Sequence, residues 1–139
     1  MNPLTILIAD DEPPIRHMLD LKLGQAGFEV VTASNGQAAY DLACEHHPSL
    51  IVSDYQMPGM DGLEFCQQLV LNSATSKIPV IMLTARAHKI PREEIAKTNI
   101  CCFLDKPFSP RDLISKIHEL LRLQTDEIVD QSKDGLSAA

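Results

Sequence analysis

The sequence has little positive charge and no long apolar run. Its 139 residues contain 12 Lys and Arg against 19 Asp and Glu, for a formal net charge of −7. Proteins that bind nucleic acid need clustered Lys and Arg to neutralise phosphates, so we expect no direct nucleic-acid binding by this chain. No apolar stretch approaches the ~20 residues of a membrane span, and no basic region precedes the first apolar run. We therefore expect a cytoplasmic protein with no membrane segment.

The four cysteines lack the spacing of a zinc site. Cys44 and Cys66 fall in helical patterns, whereas Cys101 and Cys102 are adjacent in a strand-like run, and no C-x-x-C pair occurs. Successive residues of a strand point to opposite faces, so Cys101 and Cys102 should not both enter the core. The sequence therefore predicts four reduced thiols that serve mainly in packing.

Short apolar runs alternate with segments of helical periodicity along the chain. Its apolar content of 45% is that of a globular protein with one core. Strands are predicted over 4–9, 28–33, 50–53, 79–83 and 101–104, and each is followed by a helical pattern. Strict alternation predicts an α/β fold, a doubly wound parallel sheet with right-handed crossovers and helices on both faces. The polar, acidic residues 125–139 form either a C-terminal tail or the start of a linker after a domain of residues 1–124.

Polar side chains follow four of the predicted strands. Asp10 and Asp11 follow the first strand, Asp54 the third, Thr84 the fourth and Lys106 the fifth. In a parallel sheet the carboxyl ends of the strands lie at one edge, which is where such folds bind their ligands. These residues are therefore expected to line one cleft.

Three carboxylates in one cleft repel each other unless a cation joins them. Mg²⁺ prefers oxygen ligands and usually takes one or two carboxylates, with water or substrate phosphate completing its shell. Asp11 and Asp54 are the expected direct ligands. Asp10 would bind directly or through water, and the backbone carbonyl of Gln56 could supply a further oxygen.

A carboxylate held beside Mg²⁺ can attack phosphorus. Asp54 would then become an aspartyl phosphate, a known covalent form of carboxylate nucleophiles. Lys106 offers a compact positive charge to one phosphate oxygen, and the hydroxyl of Thr84 offers a donor to another. The combination predicts phosphoryl transfer to Asp54.

Four motifs carry a close resemblance to the receiver domains of two-component signalling, including those of the chemotaxis type. They are ILIADDEP, VSDYQMPGMDG, VIMLTA and FLDKPF, in that order. The resemblance covers about residues 4 to 123. It implies a (βα)₅ flavodoxin-like fold with strand order 2-1-3-4-5.

The resemblance also implies a reaction and its partners. Asp54 would accept a phosphoryl group from a histidine kinase or a phosphotransfer protein, with Asp10 and Asp11 as the acidic pair that helps to bind Mg²⁺. The chain would be a response regulator receiver rather than an enzyme, although it would take part in its own phosphorylation and dephosphorylation.

The output of such a receiver is a change of surface. By resemblance, Thr84 is the switch hydroxyl, Lys106 the phosphate-binding lysine and Phe103 the switch aromatic. Phosphorylation would draw Thr84 inward and turn Phe103 inward, which remodels the surface of the fourth helix, fifth strand and fifth helix. That surface would control a downstream partner or an output domain, and a phosphorylation-dependent dimer is left open.

The sequence departs from common receivers at a few positions. Gln56 and Arg86 lie two residues beyond Asp54 and Thr84, at positions that tune the rates of phosphorylation and dephosphorylation in this family. Asn99 replaces a glycine that many receivers carry before the fifth strand. Asparagine tolerates the left-handed conformation, so we expect the turn to be kept. The fourth helix is predicted to be weak. Among the histidines, His88 is the one expected near the rim of the cleft.

Two other functions share part of this residue pattern. A haloacid-dehalogenase-type phosphatase or mutase also uses Asp, Thr, Lys and Mg²⁺, but its nucleophile follows the first strand in a D-x-D motif, whereas Asp10 and Asp11 are adjacent. The second alternative is a binding module on a receiver scaffold that is never phosphorylated. The complete set of acidic, hydroxyl and lysine residues argues against it. The cognate kinase and the partner are not indicated by the sequence.

Overall fold

One five-stranded sheet with helices on both faces forms the protein, and the computed structural model describes residues 3–122 of it. The strands are β1 (Thr5–Ala9), β2 (Glu29–Ala33), β3 (Leu50–Asp54), β4 (Val80–Leu83) and β5 (Ile100–Leu104). The helices are α1 (Pro13–Gln25), α2 (Gly36–His46), α3 (Gly62–Leu71), α4 (Arg92–Ala96) and α5, which is helical over 110–122. A 3₁₀ turn (Ala87–Lys89) follows β4.

All strand pairs are parallel, and the strand order is β2-β1-β3-β4-β5. The chain runs outward from β1 to β2, returns to β3 beside β1, and continues to β4 and β5. The predicted doubly wound, flavodoxin-like order is therefore confirmed. The change of direction falls between β1 and β3, so the loops after these two strands part and leave a crevice at their carboxyl ends.

The sheet separates two apolar layers. Alternate residues of each central strand enter opposite layers, as the pleat requires: Leu7 and Ile51 pack on one side, and Ile8 and Val52 pack on the other. Every residue of β3 and β4 is buried. This explains why these strands read as continuous apolar runs rather than as alternating ones.

The β5 edge of the sheet is less buried than its centre. The register of β4 and β5 shifts after Val80, which pairs with Ile100, since Ile81 already pairs with Cys102. Cys101 is the extra residue of this bulge and is exposed, while Cys102 is half-buried. All four cysteines are free thiols, as predicted.

Helix α4 is the least buried of the helices α1 to α4. It has five residues, none of them buried, and no side chain caps its first turn. The prediction of a weak fourth helix is confirmed. A short, exposed helix costs little free energy to move, which is typical of elements that change conformation.

The turn before β5 is kept with asparagine at position 99. Asn99 is not among the non-glycine residues with positive φ in the described part of the chain, where His47 at the end of α2 is found instead. Asn99 therefore does not use the left-handed conformation that asparagine tolerates. Its side-chain Nδ2 instead donates to the carbonyl oxygen of Ile78 at 2.7 Å, so the turn is held by a side-chain hydrogen bond and needs no special φ.

Two expectations concern the ends and the membrane. The predicted domain boundary at residue 124 and the polar segment 125–139 lie outside the described residues. Within residues 3–122, no helix is both long enough and apolar enough to span a bilayer.

The start of α3 lies directly against the end of β3. Asp61 caps this helix: its Oδ1 accepts from the Glu64 N–H at 2.8 Å, and the Glu64 carboxylate accepts in return from the Asp61 N–H at 3.4 Å. Gly62 follows the cap, and its N–H donates to the carbonyl oxygen of Tyr55 at 2.8 Å. A Cβ on Gly62 would come within 2.5 Å of the Asp54 carbonyl oxygen and 2.8 Å of the Met82 sulfur.

Gly62→Ala is therefore expected to destabilise the fold and displace the end of β3. The loss in the free energy of unfolding should be about 1–3 kcal/mol, the usual cost of overpacking. Gly24→Ala is the matched control, because a Cβ there meets nothing within 4 Å and the residue lies within α1. It should stabilise by about 0.5–1 kcal/mol. Chemical denaturation measures both, and equal effects of the two substitutions would contradict the close contact.

Candidate functional site

The predicted cleft lies at the carboxyl ends of β1, β3 and β4. It has a volume of about 330 Å³ and is lined by Asp11, Glu12, Asp54, Gln56, Thr84, Ala85, Arg86 and Lys106. All but one of the predicted metal, phosphate and rate-tuning residues line it. The exception is Asp10, which is fully buried and forms an ion pair with a lining residue, Lys106.

Lys106 joins two carboxylates that come from different strands. Its Nζ lies 3.0 Å from Asp54 Oδ1 and 3.6 Å from Asp10 Oδ2. The lysine follows β5, and the peptide bond from it to Pro107 is cis. Burial alone would lower the pKa of Lys106, but the hydrogen bond that it donates to Asp54 and the charges of both carboxylates outweigh this effect and raise that pKa. The ammonium group is therefore charged throughout the physiological range.

Asp10 is wholly buried and is held by the backbone of its own loop. Its Oδ1 accepts from the Glu12 N–H at 2.9 Å. Its Oδ2 is buried and has no hydrogen-bond partner among the described residues, and faces Lys106 at 3.6 Å. Burial raises the pKa of Asp10, and the charge of Asp54 raises it further. A buried carboxylate oxygen without a donor is costly unless a cation approaches it.

Asp54 ends β3 and is 4% exposed. Burial raises the pKa of its carboxyl group, the bond to Lys106 opposes that rise, and the negative charge of Asp11 adds to it. The single positive charge of Lys106 therefore faces two buried carboxylates that repel each other. The net charge of these three side chains is negative when both carboxylates are ionised, which favours the binding of a further cation.

Three consecutive acids after β1 could hold that cation. One carboxylate oxygen from each of Asp10, Asp11 and Glu12 can lie within 4.8 Å of the others. Asp11 and Glu12 are exposed and line the cleft beside Asp54, so their oxygens are open to a metal with water ligands. Oxygen donors and the partnerless Asp10 Oδ2 fit a hard divalent cation such as Mg²⁺. Sequence reasoning gave Glu12 no role, although the run of three acids was a visible signal.

Thr84 directly follows β4 and lines the cleft. It is 5% exposed, and its N–H donates to the Leu104 carbonyl oxygen at 3.1 Å across the β4–β5 edge. Its Oγ1 accepts from the Arg86 N–H at 3.0 Å, which leaves the hydroxyl proton to be donated elsewhere. Arg86 is exposed and lines the cleft, whereas His88, in the 3₁₀ turn, is exposed and does not.

Phe103 lies on β5 opposite Met82 and away from the cleft lining. It is half-buried against the apolar layer that contains Phe65 and Met82. This position is compatible with ordinary packing, and the switching role of Phe103 stays a prediction.

The raised pKa values of Asp10 and Asp54 set how stability depends on pH in the metal-free protein. A carboxyl group with a folded-state pKa above its unfolded value of 3.8 binds protons preferentially in the folded state. These groups therefore add stability as the pH falls from neutrality through their raised pKa values. The contribution is complete below pH 3.8 and is lost as the pH rises.

Asp54→Asn should consequently raise the free energy of unfolding at pH 7 with a metal chelator present. A gain of about 1–2 kcal/mol is expected, a common size for one buried substitution. The gain should shrink toward pH 4, as the wild-type carboxyl group becomes protonated. Asp20→Asn, an exposed carboxylate on α1, is the control. A less stable Asp54→Asn variant at pH 7 would show that the Lys106 ion pair outweighs the burial of charge.

Comparison with known proteins gives a family match over most of the chain. The sequence profile of the response regulator receiver domain matches residues 6–118. The phosphate regulon transcriptional regulatory protein PhoB of Pseudomonas aeruginosa is 38% identical over 118 residues, which are 85% of this chain and 52% of PhoB. The chain spans about half the length of the curated relatives it matches.

Solved structures agree with the sequence match. The chemotaxis response regulator CheY4 of Vibrio cholerae superposes with a TM-score of 0.78 at 32% identity, covering 84% of this chain and 98% of CheY4. The receiver domain of the sensor histidine kinase PA1611 from Pseudomonas aeruginosa, solved with a magnesium ion in its active-site cleft, has a TM-score of 0.77 at 24% identity. That superposition covers 86% of this chain and 98% of PA1611's domain. The chain therefore belongs to the response regulator receiver domain family.

Proposed function

We propose that this chain is a phosphoryl-accepting receiver of a two-component system and that Asp54 is the acceptor. The observation that carries the proposal is the buried Asp54 carboxylate at the cleft, with Lys106 Nζ 3.0 Å from its Oδ1. The nucleophile and the cation for the incoming phosphoryl group are thus already in contact. The donor would be a phosphohistidine of a histidine kinase or of a phosphotransfer protein.

The transfer requires one bond to form and one to break. An Asp54 carboxylate oxygen bonds to phosphorus while the phosphorus–nitrogen bond of phosphohistidine breaks, and the electron pair of that bond stays on the ring nitrogen. With a proton already on its other ring nitrogen, the histidine leaves as neutral imidazole. Lys106, which is charged and compact, can then bind a phosphoryl oxygen instead of the bare carboxylate. The Thr84 hydroxyl keeps accepting the hydrogen bond from the Arg86 N–H, and its O–H would donate a hydrogen bond to another phosphoryl oxygen.

The acidic residues would hold Mg²⁺ for this step. Asp10, Asp11, Asp54 and the backbone carbonyl of Gln56 are the proposed ligands, and the carboxylate of Glu12 lies close enough to take part. When bound, Mg²⁺ offsets the negative charge of the phosphoryl group as it meets Asp54. It would also add positive charge beside the buried Asp10 Oδ2, which has no hydrogen-bond donor within residues 3–122.

The proposed output is a change in the surface formed by α4, β5 and α5. A hydrogen bond from Thr84 to the phosphoryl group would draw in the end of β4, and Phe103 on the neighbouring strand would move further into the apolar layer. The short α4, with no buried residue, resists this change little. Gln56 and Arg86 line the cleft above Asp54 and are proposed to set the rates at which the phosphoryl group arrives and leaves.

The remodelled surface would bind a downstream protein or an output domain. One relative, PhoB, is a transcriptional regulatory protein, and the matched part of this chain covers 52% of its length. We propose a signalling protein that accepts one phosphoryl group per chain, rather than an enzyme with catalytic turnover. A cytoplasmic location and a phosphorylation-dependent dimer stay predictions.

Incubation with a small phosphodonor and Mg²⁺ tests the acceptor directly. The intact mass should rise by one phosphoryl group in the wild type and in the Asp20→Asn control. It should not rise in Asp54→Asn, or in wild type with the metal chelated. A wild type that gains no phosphoryl group from any donor would favour a binding module that is never phosphorylated.

Lys106→Met tests the cation at the phosphoryl group. The rate of phosphorylation at saturating Mg²⁺ should fall about a hundredfold, as when one charge-stabilising donor is removed from an active site. Lys116→Met is the control, because that lysine pairs with Glu119 on α5 outside the cleft lining. An unchanged rate of phosphorylation in Lys106→Met would exclude the proposed contact. The rate in the control Lys116→Met should equal that of the wild type.

A further inference from the structure

We propose that Arg16 is a positioning residue that holds the acidic loop after β1 in the geometry needed to bind Mg²⁺. This inference rests on the proposed metal site. Arg16 lies in the second turn of α1 and is half-buried, and it does not line the cleft. Its Nη1 donates to the backbone carbonyl oxygen of Asp10 at 2.8 Å.

That hydrogen bond fixes the peptide between the two predicted metal ligands. A peptide unit is planar, so holding the Asp10 carbonyl also fixes the N–H and the Cα of Asp11. The other side of Asp10 is fixed as well, because its N–H donates to the Ala33 carbonyl oxygen at 3.1 Å. Its own Oδ1 accepts from the Glu12 N–H at 2.9 Å. The direction of the exposed Asp11 carboxylate therefore depends on the Arg16 contact.

The start of α1 explains why a side chain, and not a backbone N–H group, holds the Asp10 carbonyl oxygen. The first two helical residues, Pro13 and Pro14, have no N–H, and Glu12 at the N-cap makes no side-chain cap. The N–H groups of Ile15 and Arg16 both donate to the Glu12 carbonyl oxygen at 3.1 Å. The helix start thus offers few free backbone donors to the acidic loop. The guanidinium group of Arg16 supplies one from the side.

Replacing Arg16 removes a positive charge and a hydrogen bond, and these two losses have opposite expected effects on Mg²⁺ affinity. Removing a positive charge near an acidic cleft strengthens cation binding if electrostatics alone matters. Losing the bond that orients Asp11 weakens cation binding, since residues that orient metal ligands typically contribute about tenfold or more to affinity. The sign of the change in Mg²⁺ affinity therefore distinguishes the two effects.

The experiment compares Mg²⁺ binding by calorimetry in the 139-residue wild-type chain and three variants. Arg16→Met removes the donor and the charge at similar length, and Arg16→Lys keeps the charge and one donor. Lys22→Met is the matched control, which removes one positive charge from an exposed position further along α1. We expect about tenfold weaker binding in Arg16→Met, partial recovery in Arg16→Lys and wild-type affinity in Lys22→Met.

Phosphorylation from a small donor gives a second readout. The Mg²⁺ concentration for half-maximal rate should rise in Arg16→Met, while the rate at saturating Mg²⁺ returns to that of the wild type. Mg²⁺ affinity in Arg16→Met equal to or tighter than that of the wild type would overturn the inference. If Arg16→Met is unfolded in the absence of metal, the comparison of Arg16→Lys with wild type decides, and equal affinity there overturns it. Failure of the wild type to bind Mg²⁺ would instead overturn the proposed metal site and this inference together.

Discussion

The ion pairs of Lys106 with Asp10 and Asp54 are the interaction on which the site depends. A single ammonium group lies 3.0 Å from one buried carboxylate and 3.6 Å from the other, and burial raises the pKa of both. One positive charge cannot balance two buried negative charges, and Asp11 and Glu12 add more negative charge at the mouth of the cleft. The fold therefore holds an excess of negative charge at this edge, which favours the binding of a further cation.

The scaffold keeps that unfavourable group of charges in place through contacts far less polar than the site itself. The strands β3 and β4 are buried throughout and pack into two apolar layers, so the ends that carry Asp54 and Thr84 cannot move apart. At Gly62 the start of α3 approaches the Asp54 backbone too closely for a side chain. In contrast, α4 has no buried residue. The strands that position Asp54 and Thr84 are therefore firmly packed, whereas the helix that follows Thr84 in the chain is loosely packed.

The sequence was sufficient for the fold order and for the residues of the cleft, because both follow from local patterns. Apolar runs marked the strands, and acids, a hydroxyl and a lysine stood at their carboxyl ends. What it could not supply were contacts between distant segments. The Arg16 bond to the Asp10 carbonyl, the close approach of Gly62 to Asp54 and the Asn99 bond to Ile78 depend on tertiary geometry. At Asn99 the residue type permits a left-handed turn, but the hydrogen bond to a distant residue holds the turn in another conformation.

The bulge in β5 has a practical consequence for observing the protein. It places the thiol of Cys101 in solvent, two residues from Phe103. Cys44 and Cys102 are half-buried and Cys66 is buried, and burial raises the pKa of Cys66 and Cys102, so fewer of these thiols are in the reactive thiolate form. A maleimide fluorophore would therefore attach first at Cys101. The native sequence thus carries its own labelling position on the strand that also carries Phe103.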